Sequence, residues 1–200
     1  MRAFIAIELD DTLRDALSQT LRALQAAKPP LKLKWVAPQR QHLTLHFLGE
    51  IEPSRVNAIA RAMEQAVSGV APFGIALADI GCFPHIYKPN VLWVGVREPT
   101  GALKRLQQSL DAQVGRIGFA PRWSKDHLAR AFTPHLTLAR VPRDASAAAK
   151  KALGEWFVAQ SPPVPTTMRV TQLHLMQSEL LPSGALYTAL RIVEFARLSI

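Results

Sequence analysis

Cysteine is almost absent from the 200-residue chain, which contains only Cys82. A single thiol excludes an internal disulfide framework and a zinc site built on several thiolates, and it is typical of a reducing compartment. No apolar run approaches the roughly 18 residues of a membrane span, and Glu8 interrupts the apolar start too early for a signal-peptide core. We therefore expect a cytoplasmic protein that makes no membrane contact.

Acidic residues are also scarce. Lys and Arg number 24 against 15 Asp and Glu, so the net charge at pH 7 is +9. This excess of positive charge favours polyanionic partners such as nucleic acid, although it identifies none of them. Hydrophobic residues make up 48% of the chain, which excludes intrinsic disorder and predicts one globular unit, residues 1–200.

The order of predicted elements repeats along the chain. Each half reads strand, helix, strand, helix, strand, and we interpret this as an internal duplication with lobes at about 1–81 and 90–180 about a pseudo-twofold axis. The last strand of the second half is predicted as one long strand, 168–177. A final strand, 186–195, has no predicted counterpart in the first half. The elements of the first half are predicted at 4–9, 11–27, 41–48, 53–67 and 73–80, and those of the second at 91–96, around 103–110, 135–138, 144–157 and 168–177.

The tetrapeptide His-Leu-Thr-Leu occurs twice, at residues 42–45 and 135–138. Composition alone predicts about 0.005 occurrences in a chain of this length, so two copies support the duplication. Side chains alternate along a strand, so each His shares a face with the Thr two residues later while the leucines point to the core. Two imidazoles and two hydroxyls then meet in one groove, a set suited to acid and base catalysis at phosphorus.

These residues resemble those of the 2H phosphoesterase superfamily, and within it the bacterial 2′-5′ RNA ligase family of RNA 2′,3′-cyclic phosphodiesterases. The resemblance extends over nearly the whole chain, and the segments that carry it are 2–9, 42–49, 118–119, 132–140 and the last predicted strand, 186–195. It implies an α+β fold, in which antiparallel sheets line a central cleft and helices pack outside. It also implies hydrolysis of 2′,3′-cyclic phosphate ends of RNA or nucleotides to 2′-phosphates, with reversible 2′-5′ ligation. The implied site, free of metal and cofactor, consists of His42, Thr44, His135 and Thr137.

The resemblance further assigns roles within this set. It implies that His135 accepts a proton from water and that His42 protonates the leaving 3′ oxygen, a direction that the residues themselves leave open. The family pattern also implies that Arg140 contacts phosphate. Because side chains alternate along a strand, Arg140, three residues after Thr137, should point to the opposite face, unless the strand ends or bulges at Ala139.

Two further substrate contacts are expected. Arg130 lies five residues before His135 and is predicted to reach the cleft, because a guanidinium group suits phosphate. Tyr187, in the last predicted strand, is expected by resemblance to stack on a nucleobase. The predicted partner is an RNA or oligonucleotide with a 2′,3′-cyclic phosphate end, and we expect the protein to be a monomer.

Two other classes stay open. One is a non-catalytic module that binds nucleotide or RNA in the same groove, and the other is a metal-dependent hydrolase. By parity His46 shares the face of His42, so His42, His46 and His135 are a conceivable zinc set, but no fourth ligand lies at a suitable spacing. For His174, which has no partner pattern, we expect a surface or sheet-edge position.

Overall fold

The computed structural model describes residues 1–120, 132–181 and 184–196. Within them the chain forms two antiparallel sheets and four α-helices. None of these described helices is long and apolar enough to cross a membrane. The strands are β1 (Arg2–Glu8), β2 (Lys34–Trp35), β3 (His42–Glu50), β4 (Phe73–Phe83), β5 (Val91–Arg97), β6 (His135–Arg140), β7 (Thr167–Val170), β8 (Gln172–Leu181) and β9 (Gly184–Glu194), and the helices are α1 (Asp11–Ala26), α2 (Val56–Val67), α3 (Ala102–Arg116) and α4 (Ala147–Val158).

Local sequence explains where the helices begin. Asp10 is the N-cap of α1, and its carboxylate accepts a hydrogen bond of 2.8 Å from the backbone N–H of Leu13. Ser146 caps α4 in the same way through the N–H of Ala149. The leucines of α1, spaced by three or four residues, are all buried on one face of the helix. Apart from the predicted strand 168–177, the predicted helices and strands are present, with small differences at their ends.

The segment predicted as one long strand, 168–177, is in fact two strands in different sheets. β7 pairs with β4, and after Thr171 the chain continues as β8, which pairs with β1. The carbonyl of Thr171 accepts a hydrogen bond of 2.8 Å from the N–H of Phe195, the residue after β9. The prediction of one strand was wrong because the sheet that each segment joins depends on partner strands that are distant in sequence.

The two sheets have corresponding strand orders. The first sheet, β3-β1-β8-β9, matches the β6-β5-β4-β7 part of the second, which adds β2 beside β6. Each sheet thus takes two strands from one half of the sequence and its third from the other half. The final strand, predicted to have no counterpart, has the position in the first sheet that β7 has in the second.

The main hydrophobic core lies between the helices and one face of each sheet. Ile5 and Ile7 of β1 point into it, together with the leucines of both His-Leu-Thr-Leu segments. Phe4 and Ala6, on the opposite face of β1, form a small separate cluster with Met176. This opposite face lines the cleft, so the predicted α+β architecture with antiparallel sheets around a cleft and helices outside is confirmed.

Candidate active site

Each histidine of the repeated motif is the first residue of its strand and is oriented by the backbone carbonyl two residues earlier. His42 Nδ1 donates to the carbonyl of Arg40 at 3.1 Å, and His135 Nδ1 donates to the carbonyl of Thr133 at 2.7 Å. A carbonyl only accepts hydrogen bonds, so Nδ1 carries the proton in each neutral ring. Both Nε2 atoms are therefore left as acceptors.

Both imidazoles face the same cleft. β3 and β6 contact each other, and the side-chain amide of Gln41 donates across to the carbonyl of Thr137 at 3.4 Å. The positive charge of Arg140 lowers the pKa of both His42 and His135, so the guanidinium group acts electrostatically on both rings. The structure thus brings together the two histidines that the repeat predicted to meet.

Burial depresses the basicity of both rings. It is the main cause that lowers the pKa of His42 to about 4, and the charge of Arg140 adds to it. The same two causes lower the pKa of His135 below its ordinary value. In each ring the hydrogen bond from Nδ1 to a backbone carbonyl opposes the shift, because it favours the protonated form. At neutral pH both imidazoles of the free protein are therefore neutral.

This state predicts a measurable titration. In an NMR pH titration of the free protein, we expect His42 to titrate near pH 4 and His135 below pH 6.5. A bound 2′-nucleotide should raise both pKa values, because its phosphate charge favours imidazolium. In Arg140→Gln, which lacks the nearby cation, both should also rise. A His42 pKa at or above 6.5 in the free protein would contradict desolvation as the main influence on this ring.

A β-bulge places Arg140 on the cleft face. Leu92 pairs with Ala139 and Trp93 with Thr137, so Leu138 has no partner on β5. Leu138 and Ala139 are both buried, and Arg140 is exposed. The extra residue reverses the parity after Thr137, so Arg140 lies on the same face as Thr137. The bulge that would bring Arg140 to the cleft is therefore present.

An equivalent bulge makes the expectation for His46 wrong. Ile5 pairs with His46 and Ala6 with Thr44, so Leu45 is the extra residue of β3. The bulge turns His46 into the core, where it is 0% exposed and donates through Nδ1 to the carboxylate of Asp111 at 2.7 Å. His46 does not share the face of Thr44, and the conceivable zinc set with His42 and His135 does not assemble.

Both threonines lie on the cleft face. Thr44 and Thr137 alternate with buried leucines and are themselves half-buried. Within residues 1–120, 132–181 and 184–196, neither hydroxyl group forms a hydrogen bond with the protein. Two hydroxyl donors are therefore available to a bound ligand, one beside each histidine.

Aromatic rings enclose each imidazole. His42 stacks on Phe4 with ring centroids 4.6 Å apart, and the predicted substrate residue Tyr187 meets it edge-on at 4.8 Å. Phe83 meets His135 edge-on at 4.8 Å. These rings explain the burial that lowers the histidine pKa values. The sequence does not indicate Phe4 or Phe83, because both come from strands far from the motif along the chain.

His174 is also misplaced by the sequence interpretation. It is only 3% exposed and lies on the cleft face of the first sheet, where it pairs with Ala6. Its Nε2 accepts a hydrogen bond of 2.9 Å from the amide of Gln172, and its Nδ1 lies 3.7 Å from the carboxylate of Glu8. Glu8 in turn pairs with His42. The surface position was wrong because strand alternation directs His174 to the cleft face, beside the small side chain of Ala6.

Two expectations are not decided by the structure. Arg130 lies outside the described residues. In the described part of the chain, no three His, Cys, Asp or Glu side chains come together as metal ligands, and independence from metal stays a prediction.

Comparisons with known proteins agree with this geometry. The model of the 2′-5′ RNA ligase superfamily matches residues 9–180. An RNA 2′,3′-cyclic phosphodiesterase of Methanothermobacter thermautotrophicus is 34% identical over 194 residues, which cover 96% of this chain and 97% of the relative. Another of the same name, from Archaeoglobus fulgidus, is 32% identical and covers 97% and 100% of the two chains.

Solved structures show the same fold. A protein of Thermus thermophilus superposes with a TM-score of 0.76 at 28% identity over 98% of both chains. E. coli LigT complexed with 3′-AMP superposes with a TM-score of 0.74 at 26% identity, also over 98% of both.

Paired antiparallel sheets that each present one His-x-Thr strand to a common cleft define the 2H phosphoesterase class. Within this class, the chain belongs to the 2′-5′ RNA ligase superfamily. The family predicted from the two motifs is thereby confirmed.

Proposed function

We propose that the protein hydrolyses 2′,3′-cyclic phosphate ends of RNA or nucleotides to 2′-phosphates, as a cytoplasmic monomer that uses neither metal nor cofactor. The observation that carries this proposal is the pair of neutral imidazoles, His42 and His135, whose acceptor Nε2 atoms share one cleft with Arg140. Relatives that align with nearly the whole chain are named RNA 2′,3′-cyclic phosphodiesterase, which supports the choice of reaction.

The proposed reaction moves two protons. His135 Nε2 accepts a proton from water as the water oxygen bonds to phosphorus, and the bond from phosphorus to the 3′ oxygen breaks. His42 donates a proton to that leaving oxygen, which becomes the ribose 3′ hydroxyl. The product is a 2′-phosphate, and exchange with solvent restores both histidines.

His42 must be protonated to act as the acid, although burial keeps it neutral in the free protein at pH 7. The negative charge of the bound cyclic phosphate favours imidazolium and supports uptake of that proton. The hydroxyl groups of Thr44 and Thr137 and the guanidinium of Arg140 then donate to the charge that develops on the non-bridging oxygens.

Ligation needs no additional groups. If the 5′ hydroxyl of another RNA replaces water, the same transfers to His135 and from His42 yield a 2′-5′ phosphodiester. Its cleavage runs the steps in reverse, with the acid and base roles exchanged. We propose that hydrolysis and reversible ligation share this site.

Product analysis tests the proposal directly. A short RNA with a 2′,3′-cyclic phosphate end should be converted to the 2′-phosphate, with the same rate in EDTA. The two possible phosphate products are separated by chromatography against synthetic standards. Release of a 3′-phosphate would contradict the proposed leaving group, and tight binding without turnover would favour the non-catalytic binding module.

A further inference from the structure

The two halves of the cleft carry different chemistry at equivalent positions. In each half a bulge follows the Thr of the motif, and the next cleft-facing residue is Phe47 on β3 or Arg140 on β6. Phe47 is 50% exposed and lies against Phe4, whereas Arg140 is an exposed cation. One half therefore offers an aromatic surface and the other a positive charge.

A second cation lies beside Arg140. Lys34 of β2 pairs with Arg140 in antiparallel register, so the two side chains share a face about 5 Å apart at the backbone. Both are exposed, and neither forms an ion pair with a carboxylate in the described ranges. Like charges directly opposite each other destabilise a sheet, unless an anion binds between them.

The short strand that carries Lys34 is fixed to the site. The backbone N–H of Val36 donates to the carbonyl of Leu138 at 2.8 Å. The amide of Gln41 donates to the carbonyls of Val36 and Thr137, at 3.2 Å and 3.4 Å. These bonds tie Lys34 to the strand of His135, so its distance from the reacting phosphate is set by the fold.

We propose that Lys34, next to Arg140, binds the phosphodiester that flanks the cyclic phosphate, while the terminal nucleoside lies toward Phe47. The inference rests on the proposed function and narrows its substrate class to oligonucleotides that carry at least one internal phosphodiester. Backbone phosphates are bound by Lys and Arg, and exposed aromatic rings stack on bases.

The test compares two dinucleotides that end in a 2′,3′-cyclic phosphate. One has the native internal phosphodiester, and the other has a neutral methylphosphonate in its place. The unmodified protein should prefer the charged dinucleotide by about tenfold in kcat/KM, and Lys34→Ala should remove this preference. The dependence of kcat/KM on salt should also be weaker in Lys34→Ala. The slope of log kcat/KM against the logarithm of the salt concentration should become less negative by about one.

Control measurements distinguish binding of the internal phosphodiester by Lys34 from a general contribution of Lys34 to activity. Lys34→Ala should hydrolyse a mononucleoside 2′,3′-cyclic phosphate at the unmodified rate, and Lys34→Arg should retain the preference. Lys104→Ala, which removes an exposed lysine from α3, should change none of these values. A preference that survives in Lys34→Ala, or an equal loss on all three substrates, would overturn the subsite.

Binding measurements test the Lys34 subsite even if the protein does not catalyse the proposed hydrolysis. Dinucleotides that end in a 2′-phosphate can be prepared with the same two linkages, and their Kd values do not depend on turnover. The expected result is tighter binding of the charged linkage in the unmodified protein and equal binding in Lys34→Ala. Absence of hydrolysis with this binding pattern would reject the reaction alone, whereas equal binding by the unmodified protein would reject the subsite.

Discussion

We expect His42→Ala and His135→Ala each to lower kcat/KM on a cyclic phosphate by about 10²- to 10⁴-fold, because each removes one of two proton transfers. The double variant should be little worse than either single variant, since groups that act as a unit are not additive. Steady-state kinetics on one RNA substrate, with all three variants, measures these effects.

A matched control separates catalysis from folding. His85 is exposed in the loop after β4, so His85→Ala removes an imidazole and should leave kcat/KM unchanged. Thermal melts should show that all variants are folded, because His42 and His135 are only half-buried and lie outside the main core. Full activity in either single variant would refute the two-histidine mechanism.

A substrate with a better leaving group tests which histidine is the general acid and which is the general base. The aryloxide of an aryl phosphodiester leaves without needing a proton, so such a substrate should restore activity to the variant that lacks the acid and not to the one that lacks the base. We expect rescue of His42→Ala. Rescue of His135→Ala would reverse the assignment, and rescue of neither would exclude acid catalysis at the leaving oxygen.

Most of the fold follows from local patterns. Leucines spaced by three or four residues, with Asp10 as a cap, specify α1, and alternation specifies the two motif strands. The repeat of His-Leu-Thr-Leu also predicted which strands correspond. These features are predictable because periodicity and capping depend on residues that are close in sequence.

The bulges were harder to predict because an extra residue in one strand is defined only by its partner strand. In β6, the adjacent buried residues Leu138 and Ala139 are a visible break in alternation. In β3, the corresponding buried pair is Leu45 and His46, and a histidine conceals the break. The polar side chain is accommodated in the core by its bond to Asp111, on a helix distant in sequence.

The surroundings of the site depend on contacts between distant strands. The ring of Trp93 lies over Gly81, where a Cβ would collide with it, while the corresponding positions on the first sheet hold Ala6 and His174. Large and small side chains thus alternate between the two halves. No single segment contains this complementarity, so neither the enclosed histidines nor their depressed pKa values follow from the sequence.

Loss of either motif hydroxyl should have the second-largest effect. Thr44→Val and Thr137→Val keep the β-branched shape that suits a strand and remove only the donor. Because neither hydroxyl bonds to the described protein, its partner in the reaction is the phosphate, and a transition-state donor of this kind accounts for about 10²- to 10³-fold in rate. We expect a loss of this size in kcat for each variant, with a smaller change in KM.

The serine variants distinguish hydrogen bonding from packing. Thr44→Ser and Thr137→Ser keep the donor but lose a methyl group, so both should retain most of kcat if the hydroxyl is what matters. If the valine variants were as active as the serine variants, the threonines would act through shape alone. If only KM rose in the valine variants, the hydroxyl groups would bind the ground state and transition state equally, and their proposed role in stabilising the developing charge would be wrong.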